Sequence, residues 1–342
     1  MLEALNGPAG AALIGLLTGI PLGLAARLGR FCTLGAIEDQ AYGGGAARAW
    51  MWACALGAAI LGAGLMDLFG LVEIRSSFYR ALPWDPAGSV VGGLVFGYGM
   101  ALAGNCGFGA LARLGGGEIR SFVIVVVIGL SALAVLSGPL AGLRVLLFPP
   151  GRGLAMTGLP AWAALAIGPG LWALGACRAP GGAFWGTVAG LSVAGGWGGT
   201  FWLSHASFGA VTPVSHTFSA PLGGSMLWLM TASGTTAGFG VGSVSGVLAG
   251  AFAGSVRRGQ FRWEACEDPR ELGRQIGGAA LMGTGAAVAL GCSVGQGLSA
   301  AAMLAFSAPV TLAAIVIGAR LGLRQLIEGR LAMGLLGDAG DR

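Results

Sequence analysis

The sequence predicts an all-α polytopic membrane protein of about nine transmembrane helices plus short re-entrant helices, built as two pseudo-symmetric halves that meet at a central passage. Three observations carry that expectation. Of the 342 residues, 55% are hydrophobic and only 10% are charged, against about 25% charged in soluble domains, so most of the exterior must face lipid. Glycine contributes 67 residues, far above its ordinary share of about 7%, and part of it is clustered inside apolar sequence. One of those clusters occurs twice. A soluble enzyme and a soluble nucleic-acid-binding protein are excluded on the first observation alone. All 19 basic residues are arginine, which removes lysine Schiff-base chemistry and the lysine-dependent phosphate loop. Arg257, Arg258, Arg262, Arg270 and Arg274 lie between apolar stretches, as in positive-inside loops, and not in a nucleic-acid-binding stripe. Residues 1–7 lack a basic n-region, so no cleavable signal peptide is expected.

In chain order, apolar segments of about 20 residues, long enough to cross a bilayer, run over 8–28, 46–70, 87–105, 121–147, 160–178, 182–203, 225–256, 272–291 and 297–319. Their apolar runs are unbroken and rich in Ala, Leu and Gly, which specifies helices in place of alternating barrel strands. Small residues four apart, at Gly15, Gly19 and Gly23 and at Gly234, Gly238, Gly242 and Gly246, are suited to close helix packing. The clusters Gly104 to Gly109 and Gly291 to Gly297 are different. A continuous helix tolerates them poorly, and broken backbone at membrane depth survives only where protein or a water-filled cavity surrounds it. Sliding the chain by 186 residues pairs Gly92 with Gly278, Gly97 with Gly283, Gly99 with Gly285, Ala101 with Ala287, Ala103 with Ala289, Cys106 with Cys292 and Gly109 with Gly295. That is well above the roughly two identities this composition gives by chance, so a repeat is inferred. The whole chain then reads as one integral membrane domain. Half one covers about 8–147, a connector with peripheral spans about 150–224, half two about 225–322, and a cytoplasmic tail 323–342.

Six cysteines are present, and none has C-x-x-C spacing or a nearby histidine, so no zinc, other metal or cofactor is expected. Cys54, Cys177 and Cys266 read as small hydrophobes or unused thiols. Cys32, Cys106 and Cys292 share a different setting: each follows an apolar span and is flanked by glycine, in Gly-Arg-Phe-Cys-Thr-Leu-Gly, Gly-Asn-Cys-Gly-Phe-Gly and Gly-Cys-Ser-Val-Gly-Gln-Gly. The free N–H groups and positive dipole end of a broken helix replace water around an anion. A thiol is a weak donor that suits a soft acceptor. An oxyanion with a terminal sulfur, such as thiosulfate, presents oxygens to the backbone and sulfur to cysteine. The expected contacts are the three thiols together with backbone N–H groups near Asn105, Gly107, Gly291 and Ser293. No covalent step is required: the thiols stay neutral in apolar surroundings, and several shallow stations let the ion go.

The segments around Cys32, Cys106 and Cys292, the repeated glycine-rich break and the overall length resemble the YeeE/YedE sulfur-transport membrane proteins, with the weakest likeness over about 150–224. That resemblance implies uptake of thiosulfate, no enzymatic activity, and a compact, hourglass-like bundle in a bacterial cytoplasmic membrane. It further implies three cysteines lining a central passage, here Cys32, Cys106 and Cys292, and a separate cytoplasmic sulfur-carrier partner of the TusA type. Other cargoes remain open on the residues alone: sulfide, sulfite or a selenium compound. A membrane thiol oxidoreductase would need cysteine pairs near one face, and a purely structural subunit leaves the repeated thiol without a purpose.

The remaining polar residues are weighed in the same way. Arg27 and Arg30 read first as topology signals and second as an attraction for an anion. Glu38 and Asp39 read as a solvated loop or cap. Asn105 needs a buried partner, whether protein or ligand. His205 and His216 are expected at the interface, and Trp50, Trp52, Trp162, Trp172, Trp197 and Trp202 in an interfacial belt and packing. Arg257, Arg258, Arg320, Arg324 and Arg330 put the C-terminus and the loop near 257–274 in the cytoplasm, with an odd span count leaving the N-terminus outside. Both flanks of the Cys292 break would then be cytoplasmic, as in a hairpin that dips in and returns.

Overall fold

A computed structural model describes residues 7–81, 83–149, 158–264 and 268–328. Cys266, Arg330 and the tail from 329 onward lie outside the described residues. The helices are α1 (Pro8–Leu28), α2 (Thr33–Ala41), α3 (Ala47–Leu68), α4 (Phe78–Ala81), α5 (Pro86–Ala103), α6 (Gly107–Leu114), α7 (Ile119–Leu136) and α8 (Ala141–Leu147). They continue with α9 (Ala163–Arg178), α10 (Pro180–Ala206), α11 (Ser219–Thr231), α12 (Phe239–Arg257), α13 (Pro269–Val288), a π turn (Gly295–Ala300) and α14 (Ser307–Glu328). Among the described residues there is no strand, only isolated bridges such as Glu118 to Glu264. The protein is an all-helical polytopic membrane protein. Six stretches are long and apolar enough to cross a bilayer: α1 with α2, α3, α5 with α6, α7, α12 and α14.

Each expected segment contains one long helix, but three contain a second element. The stretch 121–147 turns at residues 137–140 between α7 and α8, 225–256 holds the end of α11 and the start of α12, and 297–319 holds the π turn and α14. Residues on both sides of these turns are apolar, so hydropathy alone runs across them. The sharpest case is Leu304, whose φ of 56° reverses the chain before α14.

Glycine sets how the long helices meet. A Cβ on Gly19 of α1 would lie 2.8 Å from Ser243 O and 3.1 Å from Val247 N of α12, and Gly246 returns the approach with Gly19 Cα 3.0 Å away. Backbone rests on backbone there, the contact that compensates for the missing hydrophobic drive in lipid. Gly242 takes part in this seam, whereas Gly234 lies in a turn and Gly238 precedes α12, so the expected four-glycine stripe is only half used. The same contacts fix direction. Gly15, Gly19 and Gly23 meet α12 in ascending order, so α1 and α12 are parallel, as are α5 and α14 through Gly93 and Gly97. Gly92 meets Ala289 while Gly99 meets Gly278, so α5 and α13 are antiparallel. Gly29 meets Trp185 and Gly199 meets Ile14, so α1 and α10 are antiparallel too.

These directions gather Arg27, Arg113, Arg178, Arg257, Arg258, Arg270, Arg274, Arg320 and Arg324 at helix ends on one face, with Arg75, Arg80 and Arg144 at the other. They also bear on the hairpin expected around Cys292. α13 starts on the arginine face and ends beside Gly88 at the N-terminal end of α5, and α14 returns to Gln40 through Arg320. α13 thus runs away from the arginine face and α14 runs back to it, with the Cys292 break between them.

Candidate functional site

The three glycine-flanked cysteines occupy one local design. Each has a residue in the left-handed region two positions earlier: Arg30 (φ 56°), Gly104 (φ 74°) and Leu290 (φ 55°). That residue turns the chain out of the preceding helix, and the cysteine then starts the next short one. Cys32 is the N-cap of α2 and Cys106 of α6. Cys106 Sγ accepts from Gly109 N at 3.4 Å, and Cys292 Sγ accepts from Gly295 N at 3.4 Å. These are the glycines that the 186-residue offset pairs. A sulfur accepting at an N-cap satisfies one orphan helix N–H and leaves its own proton to donate elsewhere.

The cysteines come together in the core. Cys106 and Cys292 are buried and Cys32 is half-buried; Cys32, Cys292 and the Ser293 hydroxyl are all neighbours of the Cys106 thiol. Thr33 Oγ1 donates to Ser293 Oγ at 3.1 Å, tying the Cys32 segment to the Cys292 segment. Asn105 is buried and its Oδ1 has no partner. Gly107 opens α6, and among the described residues no backbone acceptor takes the N–H of Asn105, Gly107 or Ser293. Gly291 departs from the expected set, because its N–H is already given to Ala286 O at 2.9 Å. The local fold of the break consumes that donor.

A fourth break, not foreseen from the sequence, faces these three. Phe218 is the N-cap of α11, its N–H points at Cys292 Sγ at 3.4 Å, and Thr217 Oγ1 lies 3.7 Å from the same sulfur. The signal was available: 32 plus 186 is 218, so the offset that joins Cys106 to Cys292 joins Cys32 to Phe218. Phe218 and Phe108 have ring centroids 5.3 Å apart, and Phe31 lies 6.3 Å from Phe108 and stacks on Trp52. These rings pack in the same core cluster as the three cysteines.

His216 anchors the fourth break and corrects the interfacial expectation. It is fully buried, with Nδ1 2.7 Å from Ser243 Oγ of α12 and Nε2 3.0 Å from Thr18 Oγ1 of α1. Thr18 spends its proton on Ile14 O at 2.6 Å, so Nε2 carries the ring hydrogen and Ser243 donates to Nδ1. Trp197 is likewise buried and donates to Ser299 O, while Trp162 and Trp202 are exposed as the belt requires.

Two cavities flank the cluster. On the arginine face, about 340 Å³ is lined by Arg27, Arg30, Arg48, Arg113, Arg258 and Glu38 and reaches Cys32. Arg27 and Arg30 therefore border a cavity as well as ending a span, and Glu38 belongs to it too. On the other face, about 270 Å³ is lined by Tyr79, Trp197, Thr217, Ser219 and Gly291 among apolar side chains. Among the described residues no group of acidic, histidine or cysteine side chains is arranged to hold a metal.

Broken helices meeting in a polytopic bundle, with a cavity on either side, define a membrane transport protein. The family described as sulphur transport matches residues 28–321, and the chain belongs to that family. It is 26% identical over 343 residues to the thiosulfate transporter TsuA of Escherichia coli (strain K12), spanning 90% of this chain and 92% of that protein. It is 35% identical over 74 residues to the thiosulfate transporter TsuA of Spirochaeta thermophila, covering 22% of this chain and 21% of that protein.

Proposed function

We propose that this protein takes up thiosulfate through a central passage lined by Cys292, Cys106 and Cys32. The observation that carries the reading is the meeting of three thiols with the N-termini of short helices at one place in the core. Helix N-termini stabilise an anion without a cationic side chain that would hold it too tightly. The ion's oxygens take the N–H groups of Asn105, Gly107 and Ser293, and its terminal sulfur accepts from one S–H after another. Relatives named as thiosulfate transporters support this cargo.

The direction and partner follow from charge. Arginine gathered on one face supports a cytoplasmic location for that face in a bacterial inner membrane, with the C-terminal end of α14 on the same side. Thiosulfate then enters by the apolar cavity and leaves by the arginine-lined one. That exit suits an acidic or anionic acceptor, and a separate sulfur carrier of the TusA type docks there. The parallel and antiparallel pairs support two halves related by the 186-residue offset, taken as α1–α7 and α10–α14, in place of the expected half two of about 225–322, with α8 and α9 as the connector.

The test is growth of a sulfur-auxotrophic bacterium with thiosulfate as sole sulfur source. The wild-type protein is expected to support growth; Cys106→Ala and Cys292→Ala are expected to abolish it while the variants remain in the membrane at wild-type level. Full growth with either variant removes the relay.

A further inference from the structure

The arginine-lined cavity is not uniformly basic. Arg27, Arg30, Arg48, Arg113 and Arg258 line it together with one carboxylate, Glu38. Four of these arginines already have partners in the protein. Arg27 Nε donates to Ser255 Oγ at 2.7 Å, and Arg258 donates to the carbonyls of Arg27 and Leu28 at the end of α1. Arg48 pairs with Asp39 at 3.0 Å, and Arg113 donates to Gly104 O at 3.3 Å and lies 3.9 Å from Glu118. Among the described residues, the Glu38 carboxylate has no hydrogen bond or ion pair of its own, although Arg113 and Arg48 act on it as opposite charges.

Its position on α2 gives this carboxylate a place in a sequence of events. Cys32, Gly35 and Glu38 are spaced three residues apart on α2 and its N-cap, and all three line the cavity. That spacing keeps them on one face of the helix. The half-buried carboxylate therefore stands about 9 Å beyond the thiol, at 1.5 Å per residue, on the side toward the arginine face. A dianion drawn in among five guanidinium groups stays bound unless something competes for them, and a site that must be left needs shallow binding. A carboxylate repels the dianion at short range and also takes part of the field of Arg48 and Arg113. The cavity on the other face has no charged side chain in its lining, so it needs no such competitor.

We infer that Glu38 is a release residue: its carboxylate competes with the departing dianion for Arg48 and Arg113 and drives it out of the cavity. The inference rests on the uptake reading above and assigns a residue to the step at which cargo leaves. Its test titrates the purified protein in lipid nanodiscs with thiosulfate and with sulfate, and follows initial rates of radiolabelled thiosulfate uptake by cells at equal membrane level. Glu38→Gln, which removes the charge and keeps the shape, is expected to bind thiosulfate about ten-fold more tightly and to take it up more slowly at saturation. Glu38→Asp, which keeps the charge, is expected to stay near wild type in both. A damaged fold weakens binding and uptake together, so opposite movement of affinity and rate separates release from a structural role. Unchanged or weaker binding by Glu38→Gln overturns the inference, as does tighter binding with an undiminished rate, or Glu38→Asp behaving as Glu38→Gln does. Sulfate held more tightly by Glu38→Gln in a protein that takes up no thiosulfate upholds the competing carboxylate and overturns the cargo.

Discussion

In the proposed relay, the sulfur of Cys106 and of Cys292 has two tasks that do not compete. Its lone pair accepts a backbone N–H at the start of a short helix, and its proton is left for a soft acceptor passing by. Serine at either position would cap the helix at least as well, so capping does not explain why a thiol stands there. His216 has a different kind of importance, because it joins α1, α12 and the Thr217–Phe218 segment that touches Cys292. His216→Ala leaves Ser243 without its acceptor and opens a cavity in the core, at an expected cost of roughly 2–4 kcal/mol. Thermal unfolding of the purified protein in detergent reads this as a lowered midpoint, and an unchanged midpoint would show that the strut carries no load. The three cysteines were legible in the sequence because glycine marks their breaks. His216 was not: a histidine among serines and threonines looks the same whether it sits in headgroups or is enclosed by three helices.

Among elements, the long helices were legible because lipid demands unbroken apolar runs, and α1, α3 and α5 begin and end within two residues of expectation. The short helices were hidden for the converse reason. α6 and the π turn are as apolar as their neighbours, and only left-handed residues such as Leu290 and Leu304 separate them. In the proposed two-half arrangement α10 and α11 are the counterparts of α1 and α2, a match hidden in the sequence because Phe218 stands at the position offset from Cys32. Glycine in the seams gives a sharp test. Gly19→Leu is expected to prevent α1 and α12 from meeting and to leave little folded protein by size-exclusion of the detergent extract. Gly142→Ala, in α8 with nothing within 4 Å of the added carbon, is expected to be neutral or to stabilise by about 0.5–1 kcal/mol. Similar losses for both would contradict the packing account.

For the whole molecule, the uneven distribution of arginine sets the expected orientation, and two cysteines report on it. Cys177 is exposed at the end of α9 beside Arg178, and Cys32 borders the arginine-lined cavity. A membrane-impermeant maleimide is expected to label both in inside-out vesicles and neither in intact cells, with Cys106 and Cys292 protected in each. Labelling of Cys177 in intact cells would invert the proposed direction of uptake.

Backbone seated on backbone along α1–α12 and α5–α14 has a dynamic consequence. Layers that exchange access by tilting slide more easily over long, compliant side chains, and the closest contacts in these joints are backbone atoms and alanine methyls. Under the proposed uptake reading, the scaffold is expected to stay still while cargo passes, and any motion is expected in the brief stretches around each left-handed residue. Such a protein would conduct its ion past a stationary frame, closer to a sieve than to a rocking carrier.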